Sequence, residues 1–387
     1  MKKRRREAGA ARVSSTSVES RSEVAPADAP PPSSRAHRTS TLRGQEQVSV
    51  TLAPRGPVTS LRYLGRDLAA LVLPPSKARF TIGSGACDLV IPRTVSTKVS
   101  GFHAQIERHG SGLLVHDQQS KNGTFRSRTT PRVATASVQA GESFWLGDVG
   151  LLAMDDDLDV LRPRLARSLG LEQHVPIDRA LGVIGAGGPL ALVGPAGLGE
   201  VELAKAIHAA STHRNNFFLH VDAEPLPSLA HSFGGTVLLE LDQLKRVPAT
   251  YLVTLFDTAR GLRPIVVARS DRTLQRHLDH YRTEVVTLMP LAERPNDIAR
   301  LLAMHWIEEL HTGRRVEELA RGIAAIGRHA WRRNLAELYE QSPRLLAYLE
   351  HGTLRAAAAA LGIKHQTLAA HFKRIGFPIV ERMERWP

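Results

Sequence analysis

Three glycines followed by an acid mark the stretch with the clearest chemistry. In PLALVGPAGLGEVELAKAIHAA (Pro189 to Ala210), a short apolar run ends at Val193, and Gly194, Gly197 and Gly199 punctuate a turn. An amphipathic helical pattern then begins at Val201. A glycine turn between strand and helix lets backbone N–H groups and the helix N-terminus cradle a phosphate, and a lysine after the last glycine neutralises it. Glu200 holds that lysine's place, and Lys205 lies more than a helical turn further on. A carboxylate repels a triphosphate, and with Lys205 so far on nothing nearby is expected to offset its charge, so the stretch keeps the shape of a nucleotide site and inverts its charge.

A second set of polar groups lies near the end of the chain. Between Gly352 and Pro378, an Ala-rich helical run (Leu354 to Leu361) meets Gly362 at a tight turn, and another helical run begins near Lys364. Helix, short glycine turn and helix make a helix-turn-helix. Ala357, Ala358, Leu361, Ile363, Leu368 and Phe372 supply its apolar seam. That leaves Lys364, His365, Gln366, Thr367, His371, Lys373 and Arg374 outward. Polar and basic groups on the exposed face of a second helix are what major-groove reading and phosphate anchoring require. Gln366 suits an adenine edge, while Thr367, Lys373 and Arg374 suit phosphates. A solvated Ala-rich hairpin is the competing reading. A unit this small reads DNA in pairs, so a homodimer or higher oligomer is expected.

Composition bounds these readings. The chain has 387 residues, 42% of them hydrophobic, enough for two or three domains. A formal net charge of +13 suits a polyanionic partner such as DNA. The single cysteine, Cys87, excludes an intramolecular disulfide and fits a reducing, cytoplasmic setting. No apolar run is long enough to span a membrane, so no membrane partner is expected. The 17 histidines show no metal-ligand spacing with acids or cysteine, and no metal site is assigned. The opening MKKRRRE lacks the apolar run that would make it a signal peptide.

Residues 1–45, rich in Ser, Ala, Pro and Arg, read as a disordered basic tail. Short alternating runs follow (VSVTLA, LAALVL, RFTIG, DLVIP, HAQIERH, GLLVHD, FWLGD), and period-2 runs between turn residues predict an all-β sandwich over 46–155. This region resembles a forkhead-associated (FHA) domain, a phosphothreonine-peptide module, through TIGSGACDLVI, VSGFHA and SKNGTF in order. The resemblance implies that Ser100 hydrogen-bonds the phosphate, that Lys121 adds charge and that Asn122 holds the peptide backbone. Ser84 and Thr124 join the peptide-binding set, and His103 and Gly123 fix the loops. Ser84 stands where the family usually has arginine, exchanging a charged contact for one neutral hydrogen bond. Lys98, Lys121 or Arg93 would then supply positive potential. A sandwich that docks proteins without phosphate is the alternative.

Residues 156–185, with Asp156, Asp157 and Asp159 and a short amphipathic stretch, read as a linker. Beyond them FFLHVD, VLLEL, IVVA and VVTLM alternate with helical patterns near 247–260 and 295–311, which predicts a parallel sheet covered on both faces. The order resembles the AAA+ domain of sigma-54-dependent activators. The matching phrases are GPAGLGEVELAKAIH, FGGTVLLEL, RHLDHYR, PLAERPNDIARLLAMHW and WRRNLAEL. The resemblance implies an α/β P-loop core over 186–312 and a small helical lid over 313–345. It also implies that Arg276 and Arg282 reach a neighbouring subunit's nucleotide.

The departures fall on the chemistry. Glu200 replaces the P-loop lysine, Glu240 and Leu241 replace the Asp-Glu that holds magnesium and orients water, and Ala336 replaces the lid arginine. Asp242 takes the part of Glu240 if the register slips. The segment PSLAHS is too short for the loop that touches sigma-54. Hydrolysis is therefore expected to be lost, while weak ATP binding without turnover stays open because the glycine loop and helix dipole survive.

The phrase AAAALGIKHQTLAAHFKRIG in residues 346–387 resembles the Fis-type helix-turn-helix that closes such activators. Together the three resemblances imply a transcriptional regulator that couples phosphothreonine-protein recognition to promoter binding. Its partner would be a Ser/Thr kinase or a kinase substrate, and its ATPase is degenerate. The alternatives are a working ATP-dependent sigma-54 activator and a scaffold or decoy in mixed AAA+ rings without DNA binding of its own.

Overall fold

A computed structural model describes residues 51–308 and 329–377. The expected basic tail, part of the expected lid (residues 313–328) and the last ten residues lie outside the described residues. Apart from VSVTLA, whose described residues (51–53) form no strand, the alternating runs contribute to two facing sheets. One has the order β2 (Leu71–Val72), β1 (Ser60–Tyr63), β10 (Val149–Met154), β9 (Ser143–Leu146) and β7 (Thr124–Phe125). The other runs β4 (Leu89–Val90), β3 (Arg79–Gly83), β5 (Ala104–His109), β6 (Gly112–Asp117) and β8 (Thr135–Val138).

Register explains the alternation. Phe80 pairs with Ile106, Ile106 with Val115 and Val115 with Ala136, so one inward row crosses the second sheet. Strand β10 departs from the rule, being buried at all six positions. Its apolar sequence, VGLLAM, marks a strand covered on both faces.

The cover on the outer side begins with α1 (Asp156–Leu169) and α2 (His174–Ala186). The stretch expected as a linker is therefore two packed helices. Leu158, Leu161 and Leu165 of α1, with Ile177, Leu181 and Ile184 of α2, are fully or almost fully buried. They join the sandwich core to the next domain in one apolar cluster. Asp155 caps α1 by accepting from the Leu158 N–H at 2.9 Å. It also receives Arg55, 3.3 Å away, whose guanidinium donates to the Ile184 and Gly185 carbonyls that end α2. A helix end leaves its last carbonyls without partners, and here an arginine from the edge of the sandwich supplies them.

The α/β domain follows. A parallel sheet has the order β12 (Phe218–Val221), β13 (Thr236–Glu240), β14 (Arg263–Ala268), β11 (Leu190–Val193) and β15 (Glu284–Thr287). Successive residues serve opposite faces: Leu190, Leu192, Leu238, Ile265 and Val267 join the larger core. Ala191, Val193, Val237, Leu239 and Val266 face a second core. Helix α3 (Glu200–Ala209) and α6 (Asp297–Glu308) contribute to the first, and α4 (Ala249–Leu255) and α5 (Asp271–Leu278) to the second. The helix expected over 247–260 is shorter, and a 3₁₀ turn (Thr258–Arg260) completes it.

Helix α7 (Asn334–His351) runs through the boundary expected between lid and C-terminal unit. Its Tyr348 meets Phe372 and Phe377 edge-on at 5.1 and 5.5 Å, so α8 (Leu354–Ala360) and α9 (His365–Arg374) pack on its last turns. No helix among the described residues is long and apolar enough to cross a membrane.

The junction between sandwich and α2 is a backbone contact. A Cβ on Gly185 would lie 2.5 Å from the Gly141 Cα, whereas one on Gly182 would meet only the Gly141 carbonyl oxygen, at 3.4 Å. Gly185→Ala is therefore expected to destabilise by about 1–3 kcal/mol through overpacking, despite alanine's better helix propensity. Gly182→Ala, in the same helix, should be neutral or stabilising. Urea denaturation of the two variants measures the contrast.

Candidate functional site

Three loops at one end of the sandwich carry the expected phosphate-facing residues. The loop after β3 lies against the one after β4, with the Ser84 and Gly85 N–H groups donating to the Ser100 and Gly101 carbonyls at 2.9 Å. Gly83 is required there, since a Cβ would fall 2.3 Å from the Gly101 oxygen. The third loop, after β6, is tied by the Lys121 N–H donating to Ser100 Oγ (3.0 Å) and Asn122 Nδ2 donating to the Lys98 carbonyl (2.7 Å). Ser100, Lys121 and Asn122 thus meet at one rim, Ser100 half-buried and the other two exposed.

His103 holds this rim from beneath. It is fully buried. Its Nδ1 accepts from the Ser100 N–H at 3.1 Å, so Nε2 carries the proton and donates to the Gly123 carbonyl at 3.1 Å. Both bonds together require the neutral ring. Burial pushes its pKa below the ordinary imidazole value, outweighing the Gly123 bond and the Asp117 charge that favour protonation. Asp117 braces the third loop: Ser120 Oγ donates to it at 2.6 Å and Thr124 Oγ1 at 2.9 Å, and Arg132 pairs with it. Burial alone would raise that carboxyl, yet these donors hold it below the usual range.

Two expected contacts change role. Thr124 is fully buried with its hydroxyl on Asp117, so it supports the loop and cannot touch a peptide. The Ser84 hydroxyl donates its one proton to the Val99 carbonyl at 2.9 Å and has none left for a phosphate oxygen. Positive charge at the rim therefore comes from Lys121, with exposed Lys98 and Arg93 on the neighbouring loop. Phe102, 49% exposed and two residues from Ser100, is an apolar contact that motif matching does not single out.

The glycine loop lies at the C-terminal ends of the parallel strands. Gly194 donates its N–H to the Ala268 carbonyl at 3.0 Å, and Gly197 and Gly199 have φ of +83° and +81°. Glu200 begins α3 and is 9% exposed. The expectation that nothing nearby offsets its charge is corrected here: Arg269 Nη1 donates to Glu200 Oε1 at 2.8 Å. Glu240 pairs with His220 Nε2 at 2.7 Å. Asp242 accepts from the Arg269 N–H (2.6 Å) and from Thr273 Oγ1 (3.1 Å). Arg276 and Arg282 are exposed, on α5 and just before β15. Arg269 had no sequence signal beyond being one of 51 basic residues.

On α9 and its N-cap, Lys364, His365, Gln366, Thr367, Lys373 and Arg374 are exposed, and His371 is half-buried with Nδ1 2.8 Å from Arg374 Nη2. Leu368 and Phe372 turn inward. Gly362, at φ +65°, makes the turn between α8 and α9.

A family model for the FHA domain matches residues 80–147, and this region is an FHA domain. The FHA domain of CT664 from Chlamydia trachomatis is similar at 23% identity, over 25% of this chain and 95% of that one, with a TM-score of 0.22. EmbR from Mycobacterium tuberculosis, solved with a low-affinity phosphopeptide, is 22% identical over 25% of this chain and 24% of its own, with a TM-score of 0.22. NtrX from Brucella abortus, solved with ATP, is 16% identical over 57% of this chain and 68% of its own, with a TM-score of 0.34. No curated protein matches the chain.

The His103 bonds set a pH dependence. Its folded pKa lies below the unfolded value of 6.5, so on acidification the unfolded chain binds the proton first. Stability fully present above about pH 6.5 is then lost as pH falls below it. Thermal melts between pH 8 and about pH 5.5 should show this loss, with a shallower slope in His103→Gln.

Proposed function

We propose that this chain is a DNA-binding transcriptional regulator in which a phosphothreonine-bearing protein docks on the FHA domain and a Fis-type helix-turn-helix holds a promoter. In this reading the α/β core is a degenerate AAA+ module that joins subunits and does not hydrolyse ATP. The observation that carries the reading is the pairing, within one chain, of a braced phosphate-facing rim (Ser100, Lys121 and Asn122) with a helix whose outward face is basic and polar.

Each end of the molecule supports its part. Ser100 Oγ accepts from the Lys121 N–H, which leaves the serine's own proton for a phosphate oxygen. Lys121 adds a flexible charge at the same rim. At the other end, the N-terminal turn of α9 presents Gln366 and Thr367 as exposed side chains, which base reading requires, and the exposed Lys373 and Arg374 near its C-terminal end are cations suited to backbone phosphates. For the core, the support is electrostatic: the carboxylates at 200, 240 and 242 are each engaged by protein donors.

Fluorescence anisotropy with a phosphothreonine peptide library and its unphosphorylated copy tests the first part. A bound sequence should need its phosphate, and Ser100→Ala should weaken it about 10- to 100-fold, the worth of one charge-assisted hydrogen bond. Equal affinity for both copies would sink phosphate recognition and favour a phosphate-independent docking sandwich. For DNA, Lys373→Ala or Arg374→Ala should weaken binding uniformly across sequences and reduce the salt slope by about one each. No salt-dependent DNA binding would leave the scaffold reading. Release of inorganic phosphate from ATP by the pure protein, abolished in Arg276→Ala, would overturn the non-hydrolysing core.

A further inference from the structure

The contacts around the glycine loop go beyond the loss of a lysine. Helix α7 begins directly on the loop: the Ala336 N–H donates to the Gly197 carbonyl at 3.0 Å, and a Cβ on Gly197 would strike the Arg333 carbonyl oxygen at 2.3 Å. Asn334 makes the latch. Its Nδ2 donates to the Ala196 carbonyl (2.8 Å) and its Oδ1 accepts from the Leu291 N–H (2.9 Å). It does so at φ +50°, a left-handed conformation that asparagine adopts more readily than most non-glycine residues. Below the latch, Glu200 sits at the positive end of α3, one-tenth exposed, with Arg269 on its carboxylate.

We propose that Glu200 is a resident anion: its carboxylate takes, from inside the protein, the place between the helix N-terminus and a cation that a bound phosphate would otherwise take. The α/β core is thereby self-liganded, with α7 latched on the loop. This rests on the reading of the core as a non-hydrolysing module and adds what replaces the nucleotide. The consequence reaches the far end of the same helix. Tyr348, four turns along α7, carries Phe372 and Phe377, so the helix that closes on the loop also sets the position of α9. The DNA-facing helices are then held in one arrangement at any level of ATP.

A loop with such a tenant should accept a free anion once the tenant is removed. In the full-length protein, Glu200→Ala leaves Arg269 without its partner and should lower the melting temperature. About 10 mM inorganic phosphate should then restore about 2–4 °C of it while leaving the wild-type melt unchanged. Glu200→Gln, which keeps the volume and removes the charge, should respond in the same way if the alanine variant does not fold. Adding Arg269→Ala to either variant should abolish the response. Folded single variants that ignore phosphate, or a wild-type melt that rises equally, would overturn the proposal. ATP turnover by the wild-type protein would strike the non-hydrolysing reading itself, so the two failures are distinguishable.

Discussion

The arrangement depends on a part-buried pair, Arg55 and Asp155. Asp155 is fully buried and is already committed to capping α1, so its charge needs a close cation. Arg55 is that cation, and its remaining donors finish α2. Arg263 reaches the same Ile184 carbonyl from strand β14 at 3.2 Å, 1% exposed, and burial pushes its guanidinium down to about 10. The end of α2 is thus held by one arginine from the sandwich and another from the parallel sheet. A node of this kind is worth little as a net gain in stability, because desolvation offsets the attraction, but breaking one side of it is costly. Its effect is geometric: the FHA domain is seated on the α/β domain by the same atoms that complete a helix.

How much of this was legible follows from the range of each signal. Alternation at period two placed the sandwich strands, and short β-rich runs between helical patterns placed the four phrases of the parallel sheet, because both are local properties of the sequence. The glycine turn before α3 and the turn at Gly362 were legible for the same reason. The pair α1–α2 was not. Pro163, Gly182 and Gly185 lower helix propensity within it, and the two glycines of α2 belong to a contact with Gly141 that no local pattern encodes. Tertiary packing overrode propensity.

The site shows the same limit. Motif matching located Ser100, Lys121 and Asn122 by type and order, and they do share a rim. It also took in Thr124, since a motif does not say which of its members faces inward. For Ser84 the chemistry was readable, one neutral hydroxyl in place of a guanidinium, but where that proton goes depends on a carbonyl fifteen residues away. Glu200 was readable as an inversion of charge. Its partner lies 69 residues along the chain, and only the parallel pairing of β11 with β14 brings the two together.

That pairing separates a vacated site from a rebuilt one. A carboxylate left at a phosphate loop without a partner would face the positive helix end alone and keep its affinity for any passing cation. Here Glu200 has Arg269, Glu240 has His220, and Asp242 has a backbone N–H and a threonine hydroxyl. Each of these three acids is answered by a donor from another element, which ties the ends of β12, β13 and β14 and helices α3 and α5 to one another. Such pairs add little net stability, because desolvation offsets their attraction, so their effect, like that of the Arg55–Asp155 node, is to fix the elements in one relation.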